Sequence, residues 1–153
     1  MTGANGSAAL LDAELAGFIQ GGVSVVVASR NADLVADVVR GCGCRVDRNR
    51  RQVTVLVEAV RGCTLLDDIA ANGMIAVVFS QPSSHRTIQL KGSDASVVRV
   101  TPADRAVAAR HLAAWKQELG SIGYTPDLAA AVRGAGERIA AIRFTPSAAF
   151  QQT

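Results

Sequence analysis

Aromatic residues are scarce in this chain: they make up 4% of its 153 residues, with one Trp, one Tyr and four Phe. A core must therefore be built from Val, Ala, Leu and Ile, and few platforms remain on which nucleic-acid bases could stack. No apolar run approaches the roughly 18 to 20 residues that a membrane-spanning helix needs, so no membrane partner is expected. Cysteine is limited to Cys42, Cys44 and Cys63, an odd number that gives no disulfide framework. With no export signal in the opening "MTGANGSAA", the expectation is reduced thiols and a cytoplasmic protein. Long blocks of like charge are also missing; basic residues exceed acidic ones only 16 to 13 and are scattered, so nucleic acid is not an expected partner. Neither a G-x-S-x-G elbow, a P-loop nor a G-x-G-x-x-G turn occurs, so if the protein is an enzyme a cofactor must carry the chemistry.

What is present is 49% hydrophobic content in a length suited to one domain spanning 1–153, with loosely ordered tails at 1–8 and 146–153. Ser7 is placed to cap a helix through "AALLDAELAGFIQ", which Gly21 and Gly22 end. Three β-branched segments follow, "VSVVVAS", "LVADVVRGCGCRVD" and "RQVTVLVEAV", joined by short turns as an antiparallel meander. Gly41 and Gly43 interrupt the second, which predicts a bulge or a close approach of backbone or ligand. "RGCTLLDDIAANG" reads as a short helix with Thr64 as N-cap and Gly73 as stop. "MIAVVFS" is a strand, and "TIQLKGSDASVVRV" reads as one long strand that bends at Gly92. "TPADRAVAARHLAAWKQELG" carries Thr101 as cap, Pro102 at the first helical position and an apolar stripe through Val107, His111, Leu112, Trp115 and Leu119. A second Thr-Pro helix, "TPDLAAAVRG", and a final strand, "RIAAIRFTP", complete the pattern. The sum is an α+β, mainly β fold: an antiparallel six-stranded split β-barrel with flanking helices.

Individual residues carry modest signals. His111 and Trp115 lie on the apolar stripe and read as packed, hydrogen-bonded core. His85 sits in a polar turn. The three cysteines read as small buried thiols, since structural zinc calls for two separated ligand pairs and only His85 and His111 could complete a set. Arg86 and Lys91 flank a strand whose polar face, Thr87, Gln89 and Lys91, faces either solvent or a cleft.

The stretch "VTVLVEAVRGCTLLDDIAANGMIAVVFSQPSSHRTIQLKGSDASVVRVT" resembles the pyridoxamine 5′-phosphate oxidase-like family, whose members form an FMN-binding split barrel. That resemblance implies a homodimer with two flavin sites at the subunit interface and an FMN-dependent oxidoreductase acting on a small-molecule substrate. It places Arg40, Arg61, Thr64, Arg86 and Thr87 at the positions that hold the FMN phosphate and ribityl chain. The helix opening at Arg61 suits an anion, because free backbone donors and a guanidinium meet there. Two departures stand out: "DVVRGCG" lacks the Arg and Lys pair usual on the second strand, and Asp67 and Asp68 add negative charge to the short helix. They keep two other readings open, a non-catalytic binding module for heme or a deazaflavin and a dimeric scaffold whose cofactor cleft has decayed.

Overall fold

In the computed structural model, residues 10–134 and 138–152 are described. The chain order is α1 (Ala13–Ile19), β1 (Ser24–Arg30), β2 (Ala36–Val46), β3 (Val53–Glu58), α2 (Cys63–Asn72), β4 (Ile75–Ser80), β5 (Thr87–Gly92), β6 (Ser96–Val98), α3 (Pro102–Gly120), α4 (Pro126–Arg133), β7 (Ile139–Phe144) and β8 (Ala148–Gln152). The strands form one antiparallel sheet in the order β6-β7-β3-β2-β1-β4-β5-β8, which stays open between its two end strands. The expected α+β class and antiparallel pairing hold, but the sheet has eight strands rather than six.

Both extra strands have a physical cause. After Gly92 the chain leaves β5, and Ser96–Val98 pairs with β7 at the far end of the sheet, so the expected long strand is two strands. Gly92 makes that departure possible: a Cβ there would lie 2.8 Å from Phe144 Cδ2 and 3.1 Å from the Thr145 carbonyl. The segment expected as a loose tail instead adds β8 to the edge of β5, from Lys91↔Ala148 to Thr87↔Gln152.

β2 bridges the two halves of the sheet. Its first part, Ala36 to Arg40, pairs with β1; its second part, Gly41 to Val46, pairs with β3, and the register shifts between Gly41 and Gly43. The expected bulge is thus real, and both glycines are needed. At Gly41 a Cβ would come 2.7 Å from Val25 Cγ1; at Gly43, φ is +146° and Val107 and His111 of α3 stand 3.2 and 3.3 Å away. Gly41→Ala is expected to destabilise the fold by about 1–3 kcal/mol through overpacking, read as a lower urea midpoint at unchanged m-value.

The main core lies between the sheet halves. Val25 and Val27 of β1, Val53, Val55 and Val57 of β3, Val77 and Phe79 of β4, and Ile88 and Leu90 of β5 meet there, closed off by Leu65 and Ile69 of α2. β3 buries its other face too: Leu56 packs with Val107 and Ala108 of α3. α3 has the expected start, Thr101 as cap and Pro102 in the first turn, and Asp104 completes a capping box with Thr101. Burial alone would raise the Asp104 carboxyl, but Arg45 at 2.5 Å and the Thr101 donors hold it below the usual carboxylate range. α1 begins later than expected, with Asp12 accepting from the Leu15 amide; Ser7 lies outside the described residues. Nor does Thr64 cap α2, since the cap is Gly62, without a side-chain bond.

Candidate functional site

The half of the sheet formed by β1, β4, β5, β8 and the start of β2 buries one face and, among the described residues, leaves the other open. Directly paired residues share a face, so the register defines this open surface row by row. One row runs Arg40, Val26, Val78, Gln89, Phe150; a second runs Ser24, Ser80, Thr87; a third runs Val38, Ala28, Ala76, Lys91, Ala148. The Arg40 guanidinium donates to Ser24 Oγ at 2.9 Å, and Ser80 Oγ and Thr87 Oγ1 share a hydrogen bond of 3.1 Å. Four strands thus present a guanidinium and three hydroxyls along one end of the face. Beside them lies a shelf of Val26 and Val78. The strand residues on this face include Arg30, Arg40 and Lys91 but no Asp or Glu.

Beside that face, where α3 and α4 meet β2, is a buried pair that sequence reasoning missed in part. Where β2 leaves β1 for β3, the carbonyls of Val23 and Cys42 lose their ladder partners and must be satisfied otherwise. His111 of α3 bonds the Val23 carbonyl through Nε2 at 2.8 Å, and Arg133 at the end of α4 donates to the Cys42 carbonyl at 2.9 Å. Arg133 also donates to the Ala108 and Gly134 carbonyls and, through Nε, to His111 Nδ1 at 2.9 Å. Because that Nδ1 accepts, the His111 proton sits on Nε2 and points at Val23, which fixes the neutral tautomer. Burial pushes the imidazole down to about 4; the Val23 bond opposes the shift and the Arg133 charge adds to it. His111 also stacks on Trp115, whose indole donates to the Ala129 carbonyl at 3.0 Å. The reading of His111 and Trp115 as hydrogen-bonded core therefore holds. Arg133 had no local signal, because its partners come from α3 and β2.

Of the five expected ligand residues, the structure places Arg40 and Thr87 on the same open face, in adjacent rows on β2 and β5, and leaves the other three elsewhere. Arg61 and Thr64 are exposed at the start of α2, where the Arg61 amide donates to Glu58 Oε2 at 2.6 Å. Among the described residues no hydrogen bond joins their side chains to the Arg40 row. Asp67 is exposed, and Asp68 accepts from buried Ser29 at 2.8 Å. Arg86 leaves the strand on the core side: its guanidinium forms a two-point ion pair with Glu14 of α1 at 2.6 and 2.8 Å and lies 4.4 Å above the Phe18 ring. The turn that carries it is closed by Gln81, which donates to the Arg86 carbonyl, with His85 in the left-handed region at φ 63°.

Cys42 and Cys44 are buried as expected, whereas Cys63 is exposed at the first position of α2. Desolvation raises both buried thiols, so neither is poised as a thiolate. Among the described residues no cluster of His, Cys, Asp and Glu could hold a metal ion, and no helix is long and apolar enough to cross a membrane. An open groove of about 450 Å³ runs beside α3 over Cys44, Val107 and Ala114, but among the described residues Arg110 is its only permanent charge.

No family model matches the sequence, and no curated protein matches it. Solved structures do match. A candidate pyridoxamine 5′-phosphate oxidase from Lactobacillus delbrueckii is 16% identical with a TM-score of 0.55, over 92% of this chain and 93% of that one. The fold is that of the pyridoxamine 5′-phosphate oxidase-like split barrels. An F420 reductase shares this split barrel at 14% identity and a TM-score of 0.54, over 88% of this chain and 94% of that one. HutZ, the heme storage protein of Vibrio cholerae, shares it at 14% identity and 0.51, over 92% and 93%. At such identities the likeness is one of fold. The split is visible here at Gly41–Gly43, where β2 passes from one half of the sheet to the other.

Proposed function

We propose that this split barrel binds FMN on the open face of its sheet and acts as a flavin-dependent oxidoreductase on a small molecule. The observation that carries the reading is the juxtaposition of Arg40, Ser24, Ser80 and Thr87 with the apolar shelf of Val26 and Val78, on strands whose open face carries no carboxylate. An anionic tail and a flat ring on one ligand match that surface in charge and in shape. Arg40 and Thr87 would hold the phosphate, Ser24 and Ser80 would orient it, and the valines would exclude water from one side of the ring. Bound FMN would supply the hydride chemistry. Arg61 and Thr64 remain free to take an anion reaching α2, while Arg86 would first have to leave Glu14.

The same face supports a homodimer. Val38 and Phe150 lie on it more than two-fifths exposed, and Leu34 and Val35 stand out from the adjoining hairpin tip, Leu34 at φ 64° and 72% exposed. Two copies joined here would cover apolar surface and enclose the ligand between them.

Freshly purified protein is expected to absorb between about 350 and 480 nm, where flavins and hemes absorb, with the two-banded spectrum of a flavin. A colourless protein that neither quenches nor shifts added FMN would overturn the reading and leave the scaffold. A heme spectrum would replace it with the second reading, which the structure supports less: His85 and His111 are the chain's two histidines, and His111 is buried with both ring nitrogens engaged. Saturable binding of a deazaflavin in preference to FMN would keep the site and change the cofactor.

A further inference from the structure

The third row of the open face contains two small residues side by side, Ala28 and Ala76, paired across β1 and β4. They floor an open pocket of about 220 Å³ flanked by Arg30, Met74 and Lys91. Neither cation is neutralised: among the described residues neither makes an ion pair, Arg30 reaching only the Asn31 carbonyl at 3.4 Å and Lys91 lying 5.7 Å from the Phe150 ring centroid. Two positive side chains around an alanine floor, with a thioether beside them, make a pocket for a small anion that has an apolar body.

Its place on the face gives it a role. Ala28 lies four residues along β1 from Ser24, roughly 13 Å at strand rise, on the opposite side of the Val26 and Val78 shelf from the row of Ser24, Ser80 and Thr87. The geometry points to a second, substrate-binding subsite at Arg30 and Lys91, selective for a small carboxylate held at the far edge of the ring. This inference rests on the reading of the face as a flavin site. Lys91, which reads from sequence as an exposed strand edge, becomes a specificity residue. Arg30 supplies the planar fork, and Met74 adapts to the ligand's apolar part.

Benzoate and its neutral isostere benzamide test the inference on the full-length, FMN-loaded protein. Benzoate should perturb the flavin spectrum saturably, and benzamide should bind at least tenfold more weakly. Arg30→Gln and Lys91→Gln should each weaken benzoate about tenfold, and together more, while FMN affinity stays within twofold. Equal binding of benzamide, or benzoate binding untouched by the double variant, overturns the subsite. If benzoate competes with FMN, or the variants weaken FMN itself, the anion belongs to the cofactor and the substrate assignment falls. Should FMN not bind at all, benzoate titrated into flavin-free protein still decides: shifts confined to the amides of Ala28, Ala76 and Lys91 keep the pocket without the flavin, and their absence removes it.

Discussion

Arg133→Met is expected to cost about 3 kcal/mol of stability, a fall of roughly 6–12 °C in Tm for a chain of this size. Arg133 is 4% exposed and directs four of its N–H groups at the Cys42, Ala108 and Gly134 carbonyls and at His111 Nδ1. Methionine keeps most of the stem's volume but donates nothing, so the Cys42 carbonyl and the imidazole nitrogen are left buried without a donor, while the Ala108 carbonyl, inside α3, keeps its helical bond. Each such group costs roughly 1–3 kcal/mol, partly offset because no guanidinium need then be desolvated. That offset is real here, since no carboxylate is among the side chain's partners and burial already lowers its affinity for its proton. The effect should reach beyond the buried pair, because the Cys42 carbonyl lies two residues from Arg40. Urea unfolding of both proteins at pH 7 measures it, and a loss below about 1 kcal/mol would show that water or repacking satisfies the fork without Arg133.

His111 makes stability depend on pH. Its folded value of about 4 lies below the ordinary 6.5, so between these values the unfolded chain binds a proton that the native protein refuses. Stability contributed by the neutral imidazole is therefore present above pH 6.5 and is lost as the pH falls toward 4. From pH 7 to pH 5 the loss should be about 2 kcal/mol. His111→Gln separates this from the carboxylates that also titrate in acid. The amide oxygen can accept from Arg133 and the amide nitrogen can donate to Val23, so both bonds survive in a group that does not titrate. The variant is expected to be less stable at pH 7 but to lose less between pH 7 and pH 5. Parallel pH profiles for the two proteins would contradict the neutral, buried assignment.

The structure shows which kinds of signal a sequence carries. α3 was legible because its determinants are local: Thr101 and Pro102 adjoin, and the buried stripe repeats at helical spacing. The β1–β2–β3 meander and the bulge at Gly41 and Gly43 were legible for the same reason, since alternation and glycine are written into the strand itself. β8 was not. "AAFQQ" has little strand propensity, and pairing with the free edge of β5 decides its conformation. The break after Gly92 was hidden because "TIQLKG" and "SVV" each look like strand, while the partners that separate them, β4 and β7, lie in different halves of the sheet.

The site divides along the same line. Arg40 and Thr87 were reached through the family resemblance. Ser24 and Ser80, which connect them, have nothing unusual in their local sequence and become visible only through the register Ser24↔Ser80↔Thr87. Arg133 leaves no local signal because its most distant partner is 91 residues away. Arg86 illustrates the converse: a basic residue in the expected place whose guanidinium is already matched, by a Glu14 that lies 72 residues earlier.

The most direct test of the account is the dissociation constant of FMN for the full-length protein and its Arg40→Gln variant, from quenching of flavin fluorescence. The open-face reading predicts saturable binding that weakens about tenfold in the variant, the loss of one charge-assisted hydrogen bond worth about 1.5 kcal/mol. Equal affinity in the two proteins, or no saturable binding in either, would contradict the claim that this face holds the cofactor's phosphate.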